Sequence, residues 1–193
     1  FKAFKALPSV SYLIKGENDY NYRVSYSKGY RIPSIKERYY NWQDHAGGPD
    51  LLGNVDLKPS ENNYFSISVD KRSLINDFSV DLYSNNINNM ISTEYNVAPD
   101  EEEHVSLIYK NYDKVIINGI NVHYFRKISE NLKLKFVYNL TDANSNSDEI
   151  LEGISKHALR LNVNYKALNK LDVVANIKYA GKKFIFDQEQ GYQ

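Results

Sequence analysis

The four histidines of the chain are the side chains best suited to bind a metal ion or to transfer a proton near neutral pH. They lie far apart in sequence, at His45, His104, His123 and His157, and no HExxH pair is present. His123 shares a polar stripe with Asn121, and His104 and His157 stand at the ends of predicted strands, so structural roles are expected for these three. His45 lies in the middle of a long polar connection, residues 29–60, which we call the insert. His45 is therefore the main candidate for a residue that binds a metal ion.

The other reactive side chains show no catalytic pattern. The acidic run at 100–103 lacks the interleaved ligand spacing of a calcium loop. Asp142 and Asp148 lie in a polar tract with no sign of a buried pocket around them. The chain has no cysteine, which excludes disulfides, thiolate metal sites and cysteine nucleophiles. No nucleophile elbow, phosphate loop or GxGxxG sequence is present, so we do not expect an enzyme.

Charge and hydropathy limit the classes of partner. Lys and Arg number 24, as do Asp and Glu, and no basic tract indicates a nucleic-acid surface. No segment approaches the ~20 apolar residues of a membrane helix, although the alternating strands of a β-barrel would escape that test. Tyrosine is abundant, at 17 of 193 residues, which suits both a soluble core and the aromatic girdles of a membrane barrel. Composition leaves both classes open.

Alternation of apolar and polar residues with a period of two recurs along the chain and predicts β-strands. It is clearest in the segment 132–140, where Leu132, Leu134 and Phe136 oppose Lys133 and Lys135. The strands predicted in this way cover residues 7–15, 20–27, 62–71, 77–92, 105–125, 132–140, 159–165 and 171–179. The pattern therefore predicts about eight strands, several of them as long as the ~10 residues of a membrane-spanning strand.

The predicted connections alternate between short and long. The short ones are 16–19, 72–76, 126–131 and 166–170, and the long ones are 29–60, 93–104 and 142–155. In an antiparallel meander this places all short turns at one end and all long loops at the other, as in outer-membrane barrels. The sequence thus favours an antiparallel up-and-down transmembrane β-barrel. A soluble β-rich binding or adhesion module with its functional loops gathered at one end is the alternative.

Two motifs stand at the ends of the insert. The first is GYRIPS at 29–34, and the second is GNVDLKPS at 53–60. Together they resemble the motif pair of TonB-dependent outer-membrane receptors, and the matching positions are Tyr30, Arg31, Pro33, Gly53, Asn54, Asp56, Leu57 and Pro59. Val55 stands where the family usually has Pro, and Ser60 where it usually has Glu. Segments 78–91 and 116–125 also resemble the later half of the family's barrel, so the resemblance covers nearly the whole chain.

The resemblance implies a barrel of about 22 strands, of which the strands predicted here would be a fragment. Residues 1–193 are then expected to form one partial barrel domain, with the plug domain, the TonB-binding segment and the remaining strands outside this sequence. The implied function is uptake of a scarce nutrient, such as haem, an iron chelate, cobalamin or a glycan. The implied location is the outer membrane of a Gram-negative bacterium, and the implied partners are the lipid bilayer, the TonB complex and the nutrient.

The resemblance also suggests how the insert would bind its ligand. Receptors of this family that take haem often carry a histidine between the two motifs, the interval that His45 occupies, and imidazole is a good axial ligand for haem iron. Tyr39, Tyr40 and Trp42 would stack on the flat macrocycle, and Arg38 would contact an anionic group. Receptors for iron-siderophores have the same flanking motifs, so haem and iron-siderophore both remain as transported ligands. No intrinsic cofactor is expected, and Arg31 is expected to brace the exit of the insert from the barrel.

Overall fold

The protein is described from a computed structural model that covers residues 4–43, 48–97, 105–146, 151, 153–168, 171–183, 186–187 and 191–192. In chain order the elements are β1 (Ser9–Lys15), β2 (Tyr20–Arg31), α1 (Ile35–Tyr39), β3 (Asn41–Trp42), β4 (Asp50–Leu52), β5 (Ser60–Lys71), β6 (Asn76–Val97), β7 (Val105–Lys127), β8 (Leu132–Ser145), β9 (His157–Leu168), β10 (Leu171–Ala180), β11 (Phe186–Asp187) and β12 (Gly191–Tyr192). Within these ranges no helix has the length and apolar character needed to cross a membrane.

Eight strands form one open up-and-down sheet in the order β1-β2-β5-β6-β7-β8-β9-β10, and all neighbours along this path are antiparallel. The predicted architecture and its strand number are therefore confirmed. Short strands β3 and β4 pair with each other, and β4 also pairs with β7, while β11 and β12 form a separate hairpin. In the described part of the chain, β1 and β10 are the two edges of the main sheet.

The turn between β1 and β2 has a defined backbone conformation. Between β1 and β2, Asn18 and Asp19 have φ values of 56° and 65°, and the Tyr20 N–H donates to the Glu17 carbonyl at 3.2 Å. Two successive positive φ angles define the type I′ turn whose twist matches that of an antiparallel hairpin. The strand ends that flank 16–19, 72–75, 128–131 and 169–170 lie at one end of the sheet, and those that flank 32–59, 98–104 and 146–156 lie at the other.

Strands β6 and β7 are longer than predicted, with 22 and 23 residues. The connection expected at 93–104 is correspondingly reduced to 98–104. Residues 93–97 continue the antiparallel ladder from Thr93↔Tyr109 to Val97↔Val105, opposite a part of β7 that was predicted as strand. Thr93, Tyr95 and Val97 alternate there with Glu94 and Asn96, so the end of β6 was predicted too early.

One face of the sheet carries an apolar band, which ends at the polar row Ser84, Asn118 and Asp142. Register places Val24, Ile67, Leu82, Ile120 and Leu140 side by side across five strands. The first three are 41%, 47% and 48% exposed, although a soluble sandwich would bury such a stripe in its core. In the described residues the buried hydrophobic side chains are only Leu57, Val105, Tyr112 and Val115. This exposed face has the character of a barrel wall that contacts lipid.

The opposite face is polar and is bonded from strand to strand. The Asn121 amide donates to Asp81 at 3.4 Å and accepts from the Asn139 amide at 2.7 Å, which links β6, β7 and β8. His123 lies on this face, as predicted, because it pairs in register with Ser79, two residues before Asp81. These bonds link polar side chains across three neighbouring strands.

Gly119, also on the polar face, provides space for an aromatic ring. A Cβ at Gly119 would lie 2.4 Å from Cζ of Tyr83, the residue opposite it on β6. The Tyr83 ring stacks in turn on Tyr64 of β5, with ring centroids 6.0 Å apart. The absence of a side chain at Gly119 therefore lets these two rings lie flat across three strands.

Candidate functional site

The first three residues of the insert are the end of β2, and a helical turn, α1, follows them. The Glu37 N–H donates to Ser34 Oγ at 3.2 Å, and the Ser34 N–H donates to Glu37 Oε2 at 2.7 Å. This reciprocal capping box starts α1, and its Ser-x-x-Glu signal is present in the sequence. The insert was predicted as a loop throughout, so α1 corrects that prediction.

Arg31 and Glu37 connect the end of β2 to α1. The Arg31 guanidinium forms an ion pair and hydrogen bond with Glu37 Oε1, and the Glu37 residue is only 8% exposed. Burial opposes ionisation of this carboxyl, but the hydrogen bonds from the Ser34 N–H and from Arg31 outweigh it, so the pKa of Glu37 lies below its ordinary value. The pair fixes the direction in which the chain leaves the strand, together with Pro33, whose ring restricts φ.

The second motif packs directly against α1 at Gly53. The Gly53 N–H donates to the Tyr40 carbonyl at 2.8 Å. A Cβ at Gly53 would lie 2.9 Å from the Arg38 carbonyl carbon and 2.9 Å from the Tyr39 nitrogen. Because both atoms belong to the backbone, only glycine permits this approach.

Two further contacts hold the motifs together. The Asn54 N–H donates to the Glu37 carbonyl at 2.9 Å. Arg38 donates from Nε and Nη2 to the Val55 carbonyl, at 3.1 Å and 2.5 Å. Any residue at position 55 offers that carbonyl, so the departure from Pro leaves the contact intact. Arg38 was predicted to contact an anionic ligand, but two of its N–H groups bind the Val55 carbonyl in this structure.

The insert is also attached to β7. The Asn54 side chain donates to the Tyr109 carbonyl at 3.0 Å and accepts from the Asp56 N–H at 2.9 Å. Strand β4 pairs in parallel with β7 from Asp50↔Ser106 to Leu52↔Ile108. Leu57 is 6% exposed, whereas Asp56 faces solvent. The second motif thus joins α1 on one side to β7 on the other.

The predicted stacking residues are exposed and lie close to one another in sequence. Tyr39 is 60% exposed, Tyr40 44% and Trp42 45%. Cations accompany two of the rings, with Arg38 5.4 Å from the Tyr39 centroid and the Lys36 ammonium 5.4 Å from that of Tyr40. Together Lys36, Arg38, Tyr39, Tyr40 and Trp42 form what we call the aromatic patch.

The remaining predicted site residues divide into two groups. Tyr30 lies outside the aromatic patch, with the Lys5 ammonium 4.7 Å from its ring centroid, and Pro59 is half-buried beside Ser60. His45 falls outside the described residues, as does His104, so the ligand role of His45 is untested. In the described ranges, no group of three or more His, Asp or Glu side chains could hold a metal ion.

Two residues that organise the site, Glu37 and Asn111, were not predicted from the sequence. Glu37 could have been found from its place in the Ser-x-x-Glu signal. Asn111 contacts Lys58, which lies 53 positions earlier in the chain, and no local pattern reports such a contact.

Comparison with known proteins identifies the family. The family described as TonB dependent receptor-like, beta-barrel matches residues 3–193. An iron-regulated outer membrane virulence protein of Vibrio cholerae serotype O1 is 24% identical over 169 residues, covering 81% of this chain and 26% of that protein.

Solved receptors share the fold at low identity. The siderophore receptor PirA from Pseudomonas aeruginosa superposes with a TM-score of 0.70 at 14% identity, over 92% of this chain and 34% of that one. The ferric enterobactin receptor PfeA of the same organism, solved as a mutant with enterobactin, gives 0.69 at 15% identity, over 92% and 28%. The copper transporter OprC gives 0.70 at 14% identity, over 88% and 25%.

Fold and family match together define a β-barrel protein of the Gram-negative outer membrane. The chain belongs to the TonB-dependent receptor family. It spans 26% of the curated relative and between 25% and 34% of these three solved structures.

Proposed function

We propose that this chain is part of a receptor that takes up an iron chelate across the outer membrane, and that the insert contributes to ligand binding. The observation that carries this proposal is the aromatic patch, which is exposed on an insert fastened to the barrel wall. Rings and cations on a fixed support suit a ligand that has both exposed aromatic rings and negative charge. Ferric catecholate siderophores have both properties.

The relatives support iron as the cargo. Two of the solved receptors are named for siderophores, and the curated relative is named as iron-regulated. OprC is named for copper, so the fold serves more than one metal. Uptake would be driven by the TonB complex, which is the partner that the family name implies. Residues 1–193 would form one partial barrel domain of the receptor. The soluble binding module has no support from the family match or from the exposed apolar face.

Haem is the second candidate ligand. Tyr39, Tyr40 and Trp42 immediately precede the segment that contains His45, so a macrocycle stacked on these rings would lie near an imidazole. In this arrangement the imidazole would bind the iron and the rings would cover the macrocycle face.

The test is binding by the full-length receptor in detergent, with ferric enterobactin and haem as the two probes. Enterobactin binding is measured by retention of radioiron-labelled ferric enterobactin, which does not depend on Trp42, and haem binding by the Soret band. We expect ferric enterobactin to bind, and Trp42→Ala to weaken binding about tenfold, or about 1.4 kcal/mol. Tyr179→Ala is the matched control, because Tyr179 is a 60% exposed aromatic on β10, away from the insert.

Each other outcome has a defined meaning. A Soret shift that is lost in His45→Ala, without enterobactin binding, would replace the siderophore by haem. Equal binding by the wild type and by Trp42→Ala would remove the aromatic patch from recognition. Binding of neither probe would contradict uptake of both proposed ligands.

A further inference from the structure

Within the described residues, β8 pairs with only part of the edge of β7. The pairing of β7 with β8 ends at Val115↔Ser145, while β7 begins ten residues earlier at Val105. Over Ser106 to Ile108 that edge is taken by β4. A parallel pair of three residues is weak by itself. Further contacts must therefore hold the insert on β7.

Asn111 supplies two such contacts, both to Lys58, and a third contact to β6. Its Oδ1 accepts from the Lys58 N–H at 2.7 Å, and its Nδ2 donates to the Lys58 carbonyl at 3.0 Å and to the Asn89 carbonyl at 2.9 Å. An asparagine amide has two N–H groups and one carbonyl, so both N–H groups and the carbonyl are used. Asn111 binds both backbone groups of Lys58, as a paired strand would.

The two partners of Asn111 are presented by local backbone features. Pro59 biases the preceding residue, Lys58, toward the extended conformation, which suits a partner that binds both its N–H and its carbonyl. Asn89 of β6 has a left-handed backbone conformation, with φ 52°. It lies between the ladder pairs Asn88↔Lys114 and Met90↔Tyr112. Such irregularities at barrel rims redirect a strand locally. Asn111 therefore joins the second motif to β7 and to the irregularity in β6.

We propose that Asn111 is a positioning residue, which holds the insert on the β6–β7 hairpin and thereby sets the affinity of the aromatic patch for its ligand. The second motif continues from Lys58 back to Asn54 and Gly53, which contact α1. Displacement of Lys58 is thus transmitted to Tyr39 and Trp42. The effect on affinity rests on the proposed function, whereas the attachment of the insert does not.

The test compares Asn111→Asp and Lys58→Ala with the wild type in the full-length receptor. Asparagine and aspartate have the same shape, but a carboxylate has no N–H to donate and would face two backbone carbonyls. Lys58→Ala leaves the backbone groups that Asn111 binds and is the matched control. We would measure three properties of each variant. They are hydrogen–deuterium exchange over residues 50–58, the fluorescence emission of Trp42, and the affinities for ferric enterobactin and haem. Heat-modifiable migration on gels verifies that each barrel is folded.

For Asn111→Asp we expect exchange at 50–58 to rise at least tenfold, Trp42 emission to change, and ligand affinity to fall at least fivefold. Lys58→Ala should match the wild type in all three. Unchanged exchange in a folded Asn111→Asp barrel would overturn the proposal. Faster exchange with unchanged ligand affinity in Asn111→Asp would overturn the positioning role. If Lys58→Ala changed exchange and affinity as much as Asn111→Asp does, the contact would be assigned to the lysine side chain instead.

Failure of the proposed function remains distinguishable. If the wild type binds neither ferric enterobactin nor haem, uptake of these ligands is refuted. The exchange comparison then still decides whether Asn111 holds the insert. If Asn111→Asp fails to fold, Asn111→Ser, which avoids the added charge, is measured in its place with the same expected direction.

Discussion

Glu37 is a charged side chain that the fold keeps largely from solvent, and its ionised form is the one that the site requires. The carboxylate accepts from the Ser34 N–H and pairs with Arg31, so it both starts α1 and ties that helix to β2. Two functions on one side chain make this position sensitive to protonation. The sequence marks Arg31 through the family motif, but it marks Glu37 only through the capping signal.

Acid should release this contact. Because the folded-state pKa of Glu37 is lowered from 4.5, its contribution is complete above the unfolded value and is lost as pH falls through the folded value. We therefore expect the fluorescence anisotropy of Trp42 to fall below about pH 4.5, as the start of the insert loosens. Glu37→Gln cannot ionise and should remove the step. A step of equal size in that variant would assign the transition to another group.

At the scale of elements, alternation gives strand centres and faces reliably, because one face of every wall strand is apolar. It does not give strand ends. The last residues of β6, 93–97, were predicted as a connection although they pair with β7, and β4 joins β7 through only three residues. The motif pair located the insert correctly, yet its attachment to Tyr109 and Asn111 depends on partners more than 50 positions away. Local sequence carries no signal for such contacts.

The packing of α1 on the second motif leads to a prediction at Gly53. Gly53→Ala would place a Cβ against backbone atoms of Arg38 and Tyr39 that cannot move without displacing α1. We expect the docked insert to be destabilised by about 1–3 kcal/mol, seen as faster proteolysis within residues 35–58 while the barrel stays folded. Gly181→Ala is the control, since its nearest atom would lie 3.4 Å away. Equal protease resistance of both variants would contradict the close packing.

At the scale of the whole molecule, the described part of the chain has an exposed apolar face and few buried hydrophobic side chains. A soluble protein would bury its apolar side chains in an interior core. Here the apolar face of the sheet contacts lipid, and the opposite face carries a polar network. Composition could not reveal this, because alternating strands keep the mean hydropathy low, at −0.57. Register reveals it by aligning the apolar stripes of successive strands.

This architecture predicts dependence on detergent. The full-length receptor should be monodisperse in detergent micelles and should aggregate when detergent is diluted below its critical micelle concentration. Size-exclusion chromatography with light scattering is the measurement. A monodisperse protein in plain buffer would contradict the assignment of the apolar face to lipid.

The parallel contact between β4 and β7 has a consequence for the order of folding. The hairpins β5–β6 and β6–β7 bring together residues that are neighbours along the chain, whereas β4 must wait for a partner that follows more than 50 positions later. The insert can dock only on a β7 that is already in place beside β6. The docked insert is therefore expected to be the last part of this region to form, so a chain whose β6–β7 hairpin is not formed would leave the insert undocked.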